Sequence, residues 1–212
     1  MWQIIQTGVI LLSVFAISGC DQAPVVPTAD VAHGLEDRPA VNDVSESSLP
    51  NPAASAAVSL EVKSWAEVQS WVSAQSGKVV VLDVWSTSCI PCLRELPHFV
   101  ELHDRLQDQV ACASLSVDYY GGAGKTPQDL VPRVQKFLAD RHATTTNFLC
   151  SDQDESVLQQ LNSVAIPVVV VYNQRGELVE TFKNDELAYG EQGFTYQAHV
   201  TPLVEKLLSE GP

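Results

Sequence analysis

The sequence predicts an α/β fold in which a mixed central sheet is flanked by helices. Three observations carry that reading. Short β-branched runs alternate with segments of helical periodicity. One run, 79–85, is apolar on both faces, as a central strand covered from both sides must be. A late run, 168–172, is followed by the turn residues Asn173-Gln174-Arg175-Gly176 and a second strand, 177–182, which makes a closing antiparallel hairpin.

The elements follow in order. Residues 58–62 predict a short first strand. Ser64-Trp65-Ala66-Glu67 has the spacing of a capping box, and Trp65, Val68, Trp71 and Val72 then fall on one helical face. After the 79–85 strand, a helix starting at Cys89 turns Leu93, Leu96, Phe99, Val100, Leu102 and Leu106 inward, with a bend expected at Pro97, which has no backbone donor. Residues 110–117 return as a strand and lead into the glycine-rich loop 119–124. A helix lies within 128–141, with Pro132 either its first residue or an interior kink. Residues 147–150 predict a strand and 154–161 a helix. After the hairpin, a last helix over 197–208 aligns Val200, Leu203, Val204 and Leu207, with Pro202 early in it.

The 212 residues allow one ordinary domain plus appendages, and a net charge of −14 argues against nucleic acid or an anionic surface as a charge-driven partner. Three segments are expected. Residues 1–19 carry an apolar stretch, too short and interrupted for a spanning helix, that ends in Ile17-Ser18-Gly19 before Cys20. This is similar to bacterial lipoprotein signals, in which the cysteine becomes the lipid-bearing N-terminus, although no Lys or Arg precedes Ile4. The alternative is an uncleaved anchor with an incidental Cys20. Either places the protein outside the cytoplasm at a membrane of a bacterial cell envelope. Residues 20–57, with five prolines among small and acidic residues, read as a disordered tether. Residues 58–212 form the folded domain.

The chemistry concentrates at Ser88-Cys89-Ile90-Pro91-Cys92. The strand-to-helix switch makes Cys89 the helix N-cap, its sulfur facing unsatisfied N–H groups and the positive end of the helix dipole. A thiolate is stabilised there, and the thiolate is the form that attacks disulfides. Cys92, one turn on, can displace whatever becomes attached to Cys89. Zinc would need two further ligands. The remaining cysteines, Cys112 and Cys150, are embedded in strand-like runs; an exported protein could pair them in a disulfide, but parallel neighbouring strands would hold them apart as two unpaired thiols, the reading favoured here. The Pro-x-x-x-Thr-x-x-Cys setting of peroxiredoxins is missing, since Leu82 and Ser86 occupy those positions.

Asp83-Val84-Trp85-Ser86-Thr87-Ser88-Cys89-Ile90-Pro91-Cys92, continued through Leu93-Arg94-Glu95-Leu96-Pro97, resembles a thioredoxin active-site segment of the TlpA/ResA-like branch of membrane-tethered thioredoxin proteins. Ala165-Ile166-Pro167-Val168 is similar to that family's cis-proline loop. The resemblance covers about 58–209. It implies a thioredoxin-like fold with a helix–strand insertion between its two halves, at 126–150. It also implies a protein thiol-disulfide oxidoreductase needing no cofactor beyond its cysteines, re-reduced by a membrane electron donor. Family tasks include delivering electrons to apocytochrome cysteines and repairing disulfides.

By the same resemblance Cys89 is the nucleophile and Cys92 the resolving thiol. Asp83, desolvated in its strand, is the base to Cys92; the other reading pairs it at a polar edge with Lys78 or Lys183. Trp85, Ile90 and Pro91 beside the pair, and Ile166 with a cis Pro167, are expected to meet the substrate. The departures are Ser88 and Ile90, where an aromatic and a small residue are usual, and Asp83 itself, often neutral in TlpA-like relatives. Asp118 aligns loosely with an acidic loop residue of the family. A non-catalytic tethered module using the same groove is the alternative function.

Overall fold

The computed structural model describes residues 58–185 and 188–211. The expected signal, Cys20 and the tether lie outside these residues. No described helix is long and apolar enough to cross a membrane.

Six strands form one sheet in the order β1-β4-β3-β2-β5-β6. They are β1 (Glu61–Lys63), β2 (Val79–Trp85), β3 (Val110–Ser116), β4 (Thr146–Cys150), β5 (Val168–Tyr172) and β6 (Leu178–Lys183). The first four run parallel, whereas β5 is antiparallel to β2 and β6 to β5, which makes the sheet mixed as expected. The inserted stretch contributes β4, which enters the sheet between β1 and β3.

The apolar alternation of β2 decides where the layers sit. Val79 and Val81 pack with Leu96, Phe99 and Leu102 of α2 (Ile90–Leu106) and with Val204 and Leu207 of α5 (Thr201–Glu210). On the same side, α3 (Val131–Ala139) places Val134 and Leu138 in a cluster with Trp85 and Cys92. Leu82 and Val84 face the other way, toward Val68 of α1 (Trp65–Ser73) and Val157 of α4 (Asp154–Gln160). Every β2 residue is buried, as an interior strand requires.

Local signals explain most boundaries. Ser64 caps α1 through a complete capping box: its hydroxyl accepts the Glu67 N–H, and Glu67 accepts the Ser64 N–H at 2.8 Å. Pro132 falls in the first turn of α3, where its missing N–H costs nothing, and a 3-10 turn at Pro127–Leu130 precedes it. Helix α2 continues through Pro97, whose ring is exposed.

Among the boundaries that differ from expectation, three have a local cause. Strand β1 begins three residues late because the carbonyls of Val58 and Ser59 bond to the side chains of Gln135 and Asn147 instead of a strand. Strand β6 starts at Leu178 because Asn173 Oδ1 takes the N–H groups of Arg175 and Glu177 into the turn. The last helix is preceded by a π-helical turn, Tyr196–Val200, capped by Thr195. Pro202 in the first turn of α5 offers no N–H to the preceding turn, so the α-helical ladder cannot run through.

Candidate active site

Strand β2 ends at Trp85, the chain turns through Ser86, Thr87 and Ser88, and α2 begins at Ile90 with Cys89 as its N-cap. The Cys89 sulfur accepts the Cys92 N–H at 3.2 Å, so it sits against the helix terminus. The two sulfurs form a disulfide with a Cα–Cα separation of 5.3 Å. Cys89 is half-buried and Cys92 only 4% exposed, which leaves the first as the sulfur a partner can reach.

The loop before Cys89 is held by Asp118, two residues past the end of β3. Its buried carboxylate accepts the Thr87 N–H at 2.9 Å, the Thr87 hydroxyl and the Ser116 hydroxyl at 2.7 Å. Three donors on one carboxylate fix the loop in place. Ser88 extends the polar side, its hydroxyl 3.1 Å from Ser86 and 3.2 Å from Tyr120.

A groove of about 470 Å³ opens beside Cys89, walled by Ile90, Pro91, Tyr120, Leu158, Ala165 and Ile166. Ile90 is 76% exposed, so apolar surface borders the reachable sulfur. A wider depression of about 760 Å³ along α4 is lined by Gln153, Glu155, Gln159 and Asn162 and holds no thiol or histidine.

The Ile166–Pro167 bond is cis, and Pro167 is buried while Ile166 reaches the groove. The amide and carbonyl of Ile166 make no hydrogen bond among the described residues. Both therefore remain open to an extended chain laid along the groove.

Trp85 departs from expectation. It is 1% exposed, packs 5.1 Å from the Phe137 ring, and shares a buried cluster with Cys92. Strand alternation points it into the core, so it supports the pair from beneath and cannot touch a substrate.

Asp83 lies on the same face of β2, two residues earlier, and is 4% exposed. Neither lysine of the alternative reading is its partner, since Lys78 bonds the Gln107 carbonyl and Lys183 the Asn162 carbonyl. Asp83 Oδ2 instead accepts the Tyr196 hydroxyl at 2.8 Å. Burial pushes the carboxyl up to about 7; the tyrosine bond pulls it down, and the charge of Glu95 pushes it further up.

Cys112 and Cys150 are free and buried. Burial raises both thiols, that of Cys150 to about 11. Strand register explains their separation. Ala113 pairs with Thr146 across β3 and β4, which leaves Cys150 several residues further along the ladder than Cys112.

Residues 53–181 match the family described as AhpC/TSA. The chain belongs to that family. It is also 28% identical over 104 residues to the thiol-disulfide oxidoreductase ResA of Halalkalibacterium halodurans, an alignment covering 49% of this chain and 53% of that protein. The chain thus spans about half the length of that curated relative. Among solved structures, a thiol-disulfide isomerase from Corynebacterium glutamicum superimposes with a TM-score of 0.52 at 16% identity, covering 74% of this chain and 97% of that one. The fold is thioredoxin-like, a mixed sheet with flanking helices.

Within this site, sequence reasoning missed Glu95, Tyr196 and the Ser88–Tyr120 contact. Glu95 carried a signal, because it lies three residues after Cys92 and four before Phe99, on the apolar face of α2. Tyr196 carried none, since nothing local links it to Asp83, 113 residues earlier.

Proposed function

We propose that the protein is an extracytoplasmic thiol-disulfide oxidoreductase acting on protein disulfides as a reductase. The observation that carries this reading is the Cys89–Cys92 disulfide at the start of α2, its outer sulfur bonded to a helix-terminal N–H and bordered by an apolar groove. The name and partial identity of the ResA relative support the same chemistry.

In the reduced protein the helix terminus stabilises the Cys89 thiolate, as at comparable helix starts, where the pKa falls from about 8.5 to about 3.5–7.5. That thiolate attacks one sulfur of a substrate disulfide, and the other substrate sulfur leaves with the bonding pair. The substrate chain lies beside Ile166, pairing with its open amide and carbonyl in the manner of an added strand. Asp83 takes the proton of Cys92, whose thiolate then attacks Cys89 and releases the second substrate sulfur. The substrate gains two electrons, and the protein is left with the observed disulfide. A membrane electron donor would restore the dithiol.

The cell-envelope location and the lipid at Cys20 rest on the sequence of residues 1–57. The test is insulin-disulfide reduction by wild type and by Cys89→Ser. The variant should fold and lose all turnover. A wild type that is itself inert would support the tethered binding module instead.

A further inference from the structure

The buried Asp83 carboxylate, on the face of β2 that packs against α2, is gripped by a residue that no cysteine motif reveals. Tyr196 makes two bonds to two acids. Its hydroxyl donates to Asp83 on β2 at 2.8 Å, and its backbone N–H donates to Glu95 on α2 at 3.0 Å. Asp83, Tyr196 and Glu95 are 4%, 0% and 8% exposed. The turn that presents Tyr196 is itself fastened, with Thr195 Oγ1 accepting the Ala198 N–H and His199 Nδ1 accepting the Thr195 N–H.

We propose that Tyr196 is a positioning residue for proton transfer at Cys92: its hydroxyl orients Asp83 and favours the ionised carboxylate, while Glu95 opposes ionisation. The proposal rests on the reading of Asp83 as the base. The groups facing Asp83 are Tyr196 from the π-helical turn, Glu95 from α2, Cys112 and Ser114 from β3 and the apolar Val169 from β5, and the Ser114 hydroxyl donates to Asn147 Oδ1 instead. No cation is among them. Tyr196 is therefore the one donor that stabilises the Asp83 carboxylate among these groups, and burial keeps its own phenol protonated throughout the working range.

The proton balance makes that donor count. When Cys92 gives its proton to Asp83, the carboxylate becomes a neutral acid and its bond to Tyr196 weakens, because hydrogen bonds to charged acceptors are the stronger kind. The strength of the Tyr196 bond thus sets how readily Asp83 accepts the proton. The sulfur chemistry is unchanged: Cys92 displaces the substrate sulfur from Cys89, and the departing thiolate is protonated by solvent.

The test reads Asp83 directly, by carbon NMR titration of its carboxyl in the oxidised protein, beside the pH profile of mixed-disulfide resolution. In Tyr196→Phe the Asp83 midpoint should rise by about one pH unit or more. Resolution at pH 7 should then slow by roughly five-fold, as the ionised fraction falls from about one half to about one tenth. In Glu95→Gln the midpoint should fall, and resolution at pH 7 should quicken. If Tyr196→Phe does not fold, 3-fluorotyrosine incorporated throughout the chain strengthens the donor with the geometry kept, and the midpoint should fall. Midpoints that stay put, or that move the same way in Tyr196→Phe and Glu95→Gln, overturn the proposal. An Asp83→Asn variant that resolves mixed disulfides at the wild-type rate would instead refute Asp83 as the base.

Discussion

Replacing Asp83 by Asn should stabilise the oxidised protein at pH 8 and do little at pH 4. The asparagine carbonyl can still accept the Tyr196 hydroxyl, so the substitution removes the charge and keeps the bond. In the wild type the carboxyl is raised from 3.8 to about 7. Well below pH 3.8 it is protonated in both folded and unfolded chains. As pH climbs, the unfolded chain ionises first, near 4, and folding stability is lost progressively until the folded group ionises near 7. At about 1.4 kcal/mol per unit, the loss is on the order of 4 kcal/mol for this buried group. Guanidinium denaturation of oxidised wild type and Asp83→Asn at both pH values measures it. The stability difference between the two proteins should widen in favour of the variant by about that amount from pH 4 to pH 8, roughly 8–16 °C in Tm. A difference that is the same at both pH values would refute the burial argument.

Other outcomes follow from the same structure. Asp118→Ala leaves the Thr87 N–H and two hydroxyls without their acceptor, so it should cost about 1–3 kcal/mol in denaturation and slow insulin reduction through a looser loop. Ser64→Ala removes the α1 cap and should cost about 1 kcal/mol, with insulin reduction unchanged. In the reduced native protein, iodoacetamide followed by peptide mapping should find Cys89 alkylated first and Cys112 and Cys150 only after unfolding, because burial raises both thiols. Alkylation of either at the Cys89 rate would contradict that packing.

The layered sheet was legible because its signals are local. An apolar run such as Val79–Trp85, the Ser64–Glu67 box and the Val68/Val72 spacing each depend on neighbours within a turn or two. The Cys89 cap was legible for the same reason: strand, cysteine and helix are contiguous. What the sequence did not disclose depends on partners far along the chain. The Asp118 contacts to Thr87 span 31 residues, and the Tyr196 bond to Asp83 spans 113. The position of Trp85 beside the cysteines suggests a substrate contact, whereas the period of two along β2 turns its ring inward. The π-helical turn arises from Pro202 and the Thr195 cap acting together, and helical periodicity over 197–208 does not register a change of ladder.

The central claim is that Cys89 is the sulfur that bonds to substrate and Cys92 the one that releases it. Mass spectrometry of Cys92→Ser after reaction with a disulfide-bonded protein tests this most directly. A stable mixed disulfide is expected at Cys89 in Cys92→Ser and none at Cys92 in Cys89→Ser. Capture through Cys92 in the second variant, or no adduct in the first, would contradict it.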